Sequence, residues 1–238
     1  MLIAARLSGA TAVAVLGVRL PISPEETVTA TRPATQLYAT ITPGAAARER
    51  VSAILDTGAV TSILIRAVTG TRLGAGEVKP LVEIIQGKGV AALIEGDAQL
   101  ARTVRADGVH ICRSDSVLDA YRDARSLLGD RFIVGVDAGH SRHDAMTLGE
   151  AGADYVAFSI TPPAADIDHE SRDDLIGWWA EIFEVPCVAF DVTTPDEATV
   201  LAGLGADFVA VSIAPGVSPA AAKDCIASIA AAVMAVTA

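Results

Sequence analysis

The 238-residue chain is 51% hydrophobic but only 4% aromatic, and its formal net charge is −11. That charge argues against nucleic acid and against an anionic membrane surface as partners, because both are gripped by clustered Lys and Arg. Cys112, Cys187 and Cys225 lie far apart without metal-ligand spacing, so they read as small apolar residues of a cytoplasmic protein.

Residues 1–36 read as an N-terminal extension or leader. Met1 to Leu20 is apolar, but no basic segment precedes it, Arg6 and Arg19 interrupt it, and its length falls short of a membrane span. Pro21 to Ala34 contains three prolines and several threonines, which suits a loop or linker.

The remaining residues, 37–238, read as one α/β domain. Strands are predicted at 37–42, 60–65, 89–95, 107–112, 131–137, 154–159, 185–191 and 207–212, each a short, largely apolar run. Helical spacing follows them, as at Leu118 to Leu128 and Asp196 to Leu204. Eight alternating units predict a (β/α)8 TIM barrel. An open doubly wound sheet would want a Gly-rich turn after its first strand, and Thr42-Pro43-Gly44-Ala45 is too poor in glycine.

One phrase recurs three times in this stretch: Arg105-Ala106-Asp107-Gly108-Val109, Gly152-Ala153-Asp154-Tyr155-Val156 and Gly205-Ala206-Asp207-Phe208-Val209. Its copies are 47 and 53 residues apart, about two strand-helix units, so it marks every second strand. The physical content is a helix end, a turn and the start of a strand buried on both faces.

Sites on such a barrel are built at the carboxyl ends of its strands. Those ends carry Thr40, Arg66, Glu95, His110, Asp137, Ser159, Asp191 and Ser212, with Asp97 and Asp115 in the loops just beyond. The acids admit two readings: a shared site for a cation, or separate caps on the helices that follow. His140 is the candidate general acid or base, since imidazole titrates near neutrality, while His110 inside a strand also suits a packed core residue.

Leu37-Tyr38-Ala39-Thr40-Ile41-Thr42, Arg66, Ala106-Asp107-Gly108-Val109-His110 with Asp115, Val134-Gly135-Val136, His140-Ser141 and Gly152-Ala153-Asp154-Tyr155-Val156 together resemble thiamine monophosphate synthase and its relative, the thiazole tautomerase. The likeness runs from Leu37 to about Ala235. It implies a Mg²⁺-dependent transferase of thiamine biosynthesis that joins an aminopyrimidine diphosphate to a thiazole phosphate. Under it Arg66 faces the pyrophosphate, Asp97 and Asp115 hold Mg²⁺, and Ser212 touches the thiazole phosphate. The strand-end residues Thr40, Glu95, His110, Asp137, Ser159 and Asp191 are expected to complete the substrate site, by their position rather than by the resemblance.

The chain departs from the family pattern where anions bind. The family's Gln-x-Arg-x-Lys is Leu64-Ile65-Arg66-Ala67-Val68, its Asn-Asp is Glu95-Gly96, and its Thr-x-Thr-Lys loop is Thr161-Pro162-Pro163-Ala164 with acids following. Its Ser after the fifth strand is Asp137, and its Gly-Gly phosphate turn is Asp191-Val192. Lost lysines and gained aspartates turn an anion site towards a cation site. The expectation is therefore a divergent thiamine phosphate synthase-like protein acting on a small thiazole or pyrimidine ligand. The alternatives are a non-catalytic barrel that binds a cationic metabolite or metal, and a thiazole tautomerase using His140. A homo-oligomeric state is left open.

Overall fold

The computed structural model describes residues 34–68, 70–160 and 171–236. Most of the expected extension (1–33) and the loop 161–170 lie outside the described residues. In chain order the elements are β1 (Gln36–Ile41), α1 (Ala47–Leu55), β2 (Val60–Ile65), α2 (Ala75–Gly87), β3 (Ala91–Glu95), α3 (Ala98–Val104), β4 (Gly108–Ile111) and α4 (Val117–Leu128). They continue with β5 (Ile133–Asp137), α5 (Arg142–Glu150), β6 (Tyr155–Phe158), α6 (Arg172–Ile182), β7 (Cys187–Val192), α7 (Pro195–Gly203), β8 (Phe208–Ile213) and α8 (Pro219–Val236). The strands are parallel and close on themselves through β1 and β8, forming the predicted (β/α)8 barrel.

Predicted and observed strands agree to within two residues. The early starts expected at 89, 131 and 185 belong to turns instead. At the first of these, Gly89 takes φ +74° and Val90 N–H bonds back to Ile85 O, so both residues close α2.

The recurring phrase is one physical module used three times. Gly152 (φ +91°) and Gly205 (φ +93°) adopt the left-handed conformation that ends a helix, and Arg105 does so at φ +58°. The next residue, buried Ala106, Ala153 or Ala206, then donates its N–H to the carbonyl five residues back. The aspartate that follows clasps the preceding odd-numbered strand. Asp107 N–H donates to Ala92 O (2.8 Å) while its Oδ2 accepts from Ala92 N–H (2.7 Å). Asp154 does the same with Val134 (3.1 and 2.7 Å), and Asp207 Oδ2 accepts from Cys187 N–H (2.8 Å). Backbone groups at the barrel's amino-terminal rim are thereby paired without a further strand.

Alternation along each strand divides the core in two. Tyr38, Leu64, Leu93, Tyr155, Phe190 and Phe208 fill the barrel interior, and their neighbours such as Ile63, Ile94, Val134 and Phe158 pack outwards with the helices. Two glycines let the interior close up. A Cβ on Gly135 would fall 1.9 Å from Tyr155 Cζ, and one on Gly108 would fall 2.1 Å from Ile133 O.

On the outside, α8 packs on α1 and α7 and buries Ala222, Ile226, Ile229 and Val233. Helix α6 carries Trp178 and Trp179. Trp179 is fully buried, donates from Nε1 to Val185 O (2.7 Å) and stacks on Phe183 with centroids 4.0 Å apart. Trp178 lies under the Arg142 guanidinium, 4.7 Å from the ring centroid.

Replacing Asp107 with alanine leaves Ala92 N–H without its acceptor, so Asp107→Ala is expected to cost roughly 1–3 kcal/mol in urea unfolding. Gly135→Ala is expected to cost at least as much, because neither the strand backbone nor the Tyr155 ring has room to yield.

Candidate functional site at the carboxyl-terminal mouth

Strand parity carries the interior face up to the mouth. Thr40 stands two residues beyond Tyr38, Arg66 two beyond Leu64, Glu95 two beyond Leu93, Ser159 two beyond Ala157 and Ser212 two beyond Ala210. These side chains engage one another in pairs. Thr40 Oγ1 donates to Ser212 Oγ (3.1 Å), and Arg66 Nε donates to Glu95 Oε1 (2.7 Å). The second Glu95 oxygen accepts from Ala67 N–H (3.2 Å). Asp137 accepts from Gly139 N–H (2.7 Å) and from Ser159 Oγ (3.0 Å).

Asp191 Oδ2 accepts from Ile160 N–H (3.1 Å), and its backbone sits at φ +62°, a conformation glycine adopts freely and aspartate adopts under strain. The turn is braced by Arg172, which is 5% exposed. It donates to Phe190 O (2.6 Å) and to Glu197 Oε1 (2.6 Å), while Glu197 Oε2 accepts from Thr193 N–H (2.8 Å).

The strand-end acids face one another electrostatically. Burial, with Asp191 adding to it, pushes the Asp137 carboxyl above the usual carboxylate range, against its hydrogen bonds and the nearby Arg113. Arg66 faces Asp191 as well as Glu95. Among the described residues, three carboxylates and two guanidiniums therefore share the mouth.

Sequence reasoning missed Arg113. It lies on the β4–α4 loop against Gly139, where a Cβ would be 2.3 Å from its Cδ, and only the fold brings those two loops together. It also missed the Arg172–Glu197 brace, whose members are 25 residues apart.

Of the two readings left open for the acids, capping holds for Asp97 alone, whose Oδ1 accepts from Leu100 N–H (2.7 Å) at the start of α3. Helices α5 and α7 are capped instead by Ser141 and Thr194, so Asp137 and Asp191 are not spent on caps. Asp115 lines a cavity of about 390 Å³ beside α5 with Arg113, Ser116, His143 and Asp144. Among the described residues no three of His, Cys, Asp and Glu gather as a metal-ligand set. Asp97 and Asp115 thus belong to no preformed cation cage among the described residues.

His140 is half-buried in the β5–α5 turn, next to the Gly139 amide that Asp137 anchors. His110 is a core residue: its Nδ1 lies 2.9 Å from Tyr155 Oη and its ring stacks on Phe190 with centroids 4.9 Å apart. Burial, followed by the Arg66 charge, lowers its pKa to about 3.

Residues 37–214 match the profile of thiamine monophosphate synthase. The thiamine-phosphate synthase of Rhodospirillum centenum is 40% identical over 166 residues, 68% of this chain and 78% of that protein. The chain belongs to the thiamine monophosphate synthase family. A second family relative, the thiamine-phosphate synthase of Hyphomonas neptunium, is 36% identical over 192 residues, 76% of this chain and 86% of that protein. Among solved structures, thiamine phosphate pyrophosphorylase from Pyrococcus furiosus gives a TM-score of 0.66 at 20% identity, covering 84% of this chain and 96% of that one. A tryptophan synthase from M. tuberculosis gives 0.63 at 14% identity, covering 84% and 93%, which shows the shared barrel alone.

The depressed His110 pKa carries a sign. The folded protein keeps His110 neutral down to about pH 3, while the unfolded chain takes up a proton near the ordinary value of 6.5. Its contribution to stability is full above pH 6.5 and is lost as the pH falls towards about 3. In urea unfolding between pH 7.5 and pH 4.5, wild type is expected to lose more stability than His110→Gln.

Proposed function

We propose that this family member is a transferase of thiamine biosynthesis that couples an aminopyrimidine diphosphate to a thiazole phosphate and releases pyrophosphate. The carrying observation is the guanidinium of Arg66, held at the mouth of a barrel whose relatives at 36–41% identity are thiamine-phosphate synthases. A departing pyrophosphate needs fixed positive charge, and Arg66 is anchored through Nε with its remaining N–H groups left to face the anion. Arg113 adds a second guanidinium next to Asp137. In this reading Glu95 orients Arg66, Asp137 and Ser159 contact the amine and ring of the pyrimidine, and the Thr40–Ser212 hydroxyl pair meets the thiazole phosphate.

Mg²⁺ arriving with the diphosphate would have Asp115 and the second oxygen of Asp97 as protein ligands and would neutralise charge on the leaving group. The lysines of the family pattern are replaced, so the reaction is expected to be slow. Asp191 favours a second reading, in which the barrel binds a cationic metabolite without turnover: its carboxylate takes the Ile160 N–H that an anionic ligand would otherwise receive.

One experiment separates the two. Incubated with both phosphorylated substrates and Mg²⁺, the protein is expected to form thiamine phosphate, and Arg66→Ala to lower the rate roughly 100-fold or more. No product at enzyme concentrations near those of the substrates, with tight thiamine binding in calorimetry, would establish the second reading.

A further inference from the structure

Three polar side chains run in series through the barrel interior. Tyr38 and Tyr155 are fully buried and His110 is 4% exposed. Tyr38 Oη lies 3.2 Å from Tyr155 Oη, which lies 2.9 Å from His110 Nδ1. The geometry is tightly constrained: the His110 ring is 9° from parallel with Tyr155 and 27° from Phe190, and Gly135 is what gives the Tyr155 ring its space.

Protons in this series must be placed. Burial holds both phenols protonated by raising their pKa values, and it keeps the imidazole neutral. Two phenol protons and one ring proton therefore share two contacts, so one of the three must point elsewhere. With the ring proton on Nδ1, every arrangement leaves a phenol proton in the sealed interior without an acceptor among the described residues. With it on Nε2, Tyr38 donates to Tyr155, Tyr155 donates to Nδ1, and both phenol protons are used. A buried hydroxyl proton left unpaired biases such a choice by roughly tenfold or more.

The surplus N–H then has somewhere to go. The sealed, unpartnered side-chain atoms among the described residues are Gln36 Oε1, Thr42 Oγ1 and Ser62 Oγ. Nε2 is the ring nitrogen that Tyr155 does not engage, and His110 sits beside Glu95 in the β3–β4 register and within the field of Arg66.

We propose that Tyr155 locks His110 as the neutral Nε2–H tautomer, so that it offers the substrate a hydrogen-bond donor and neither an acceptor nor an acid. Tyr155 is the positioning residue, and the atom that meets His110 is a lone-pair acceptor of the substrate. The tautomer stands on the structure alone; the identity of the acceptor rests on the function proposed above.

The test has two arms. Long-range ¹H–¹⁵N spectra of histidine-labelled protein at neutral pH, with His110→Gln assigning the signal, are expected to show Nε2 protonated and Nδ1 bare. The pattern is expected to persist in Tyr38→Phe and to move towards mixed tautomers in Tyr155→Phe. A protonated Nδ1 in the wild type overturns the proposal whether or not either variant folds, and so does a Tyr155→Phe spectrum identical to wild type. The second arm is calorimetry with the aminopyrimidine diphosphate and, separately, inorganic pyrophosphate. Gln at 110 places its amide near Nε2 and Asn places it near Nδ1. His110→Gln is therefore expected to bind the diphosphate within about threefold of wild type and His110→Asn at least tenfold more weakly. Equal loss in both overturns the donor role. An Asn penalty that extends to pyrophosphate marks a phosphate oxygen as the acceptor, and one confined to the diphosphate marks the pyrimidine ring. Absence of all binding by wild type would count against the proposed function and leave the spectra to decide the tautomer.

Discussion

The structure depends on a carboxylate that behaves as part of the backbone. At the amino-terminal rim, Asp107, Asp154 and Asp207 each pin the start of an odd-numbered strand to the even strand that follows it. Such a bond fixes register, and register decides which residues face inwards, because a slip by one position would send every interior side chain to the helix layer. The aromatic filling of the barrel, the ring of polar ends above it and the pairing of Arg66 with Glu95 all follow from that choice.

At the opposite rim the balance of forces is different. Glu95 is compensated by a guanidinium and a backbone amide, whereas Asp137 is half-buried with its carboxyl pushed up by desolvation, and Asp191 is held in a strained conformation by a brace that starts at Arg172. A site that keeps acids close together at some cost has a use for them or has lost an earlier one. The mouth therefore differs from a plain anion trap, with Arg66 and Arg113 set among its acids.

Much of this could be read from the residues in order. Strands such as Ala91–Glu95 and Ile133–Asp137 are compact apolar runs ending on an acid, and the copies of one phrase set the spacing of the whole barrel. Thr40, Arg66, Glu95, Asp137, Ser159 and Ser212 follow from periodicity once the strands are placed. Contacts between distant loops were not legible: Arg113 reaches Gly139, and Tyr155 reaches His110 across 45 residues, through space that only the closed barrel defines. Whether an acid caps a helix was also undetermined, because Asp97 and Asp137 have similar neighbours and differ in where the next helix begins.

The paired tryptophans of α6 add something of a different kind. The sequence contains two tryptophans, and both stand on the helix that follows the β6–α6 loop, one sealed against Phe183 and one beneath Arg142. The ultraviolet emission of the protein thus comes from one flank of the barrel. That flank adjoins the mouth through Arg172, so the chain carries an intrinsic optical reporter of the ground beside its site and needs no attached dye.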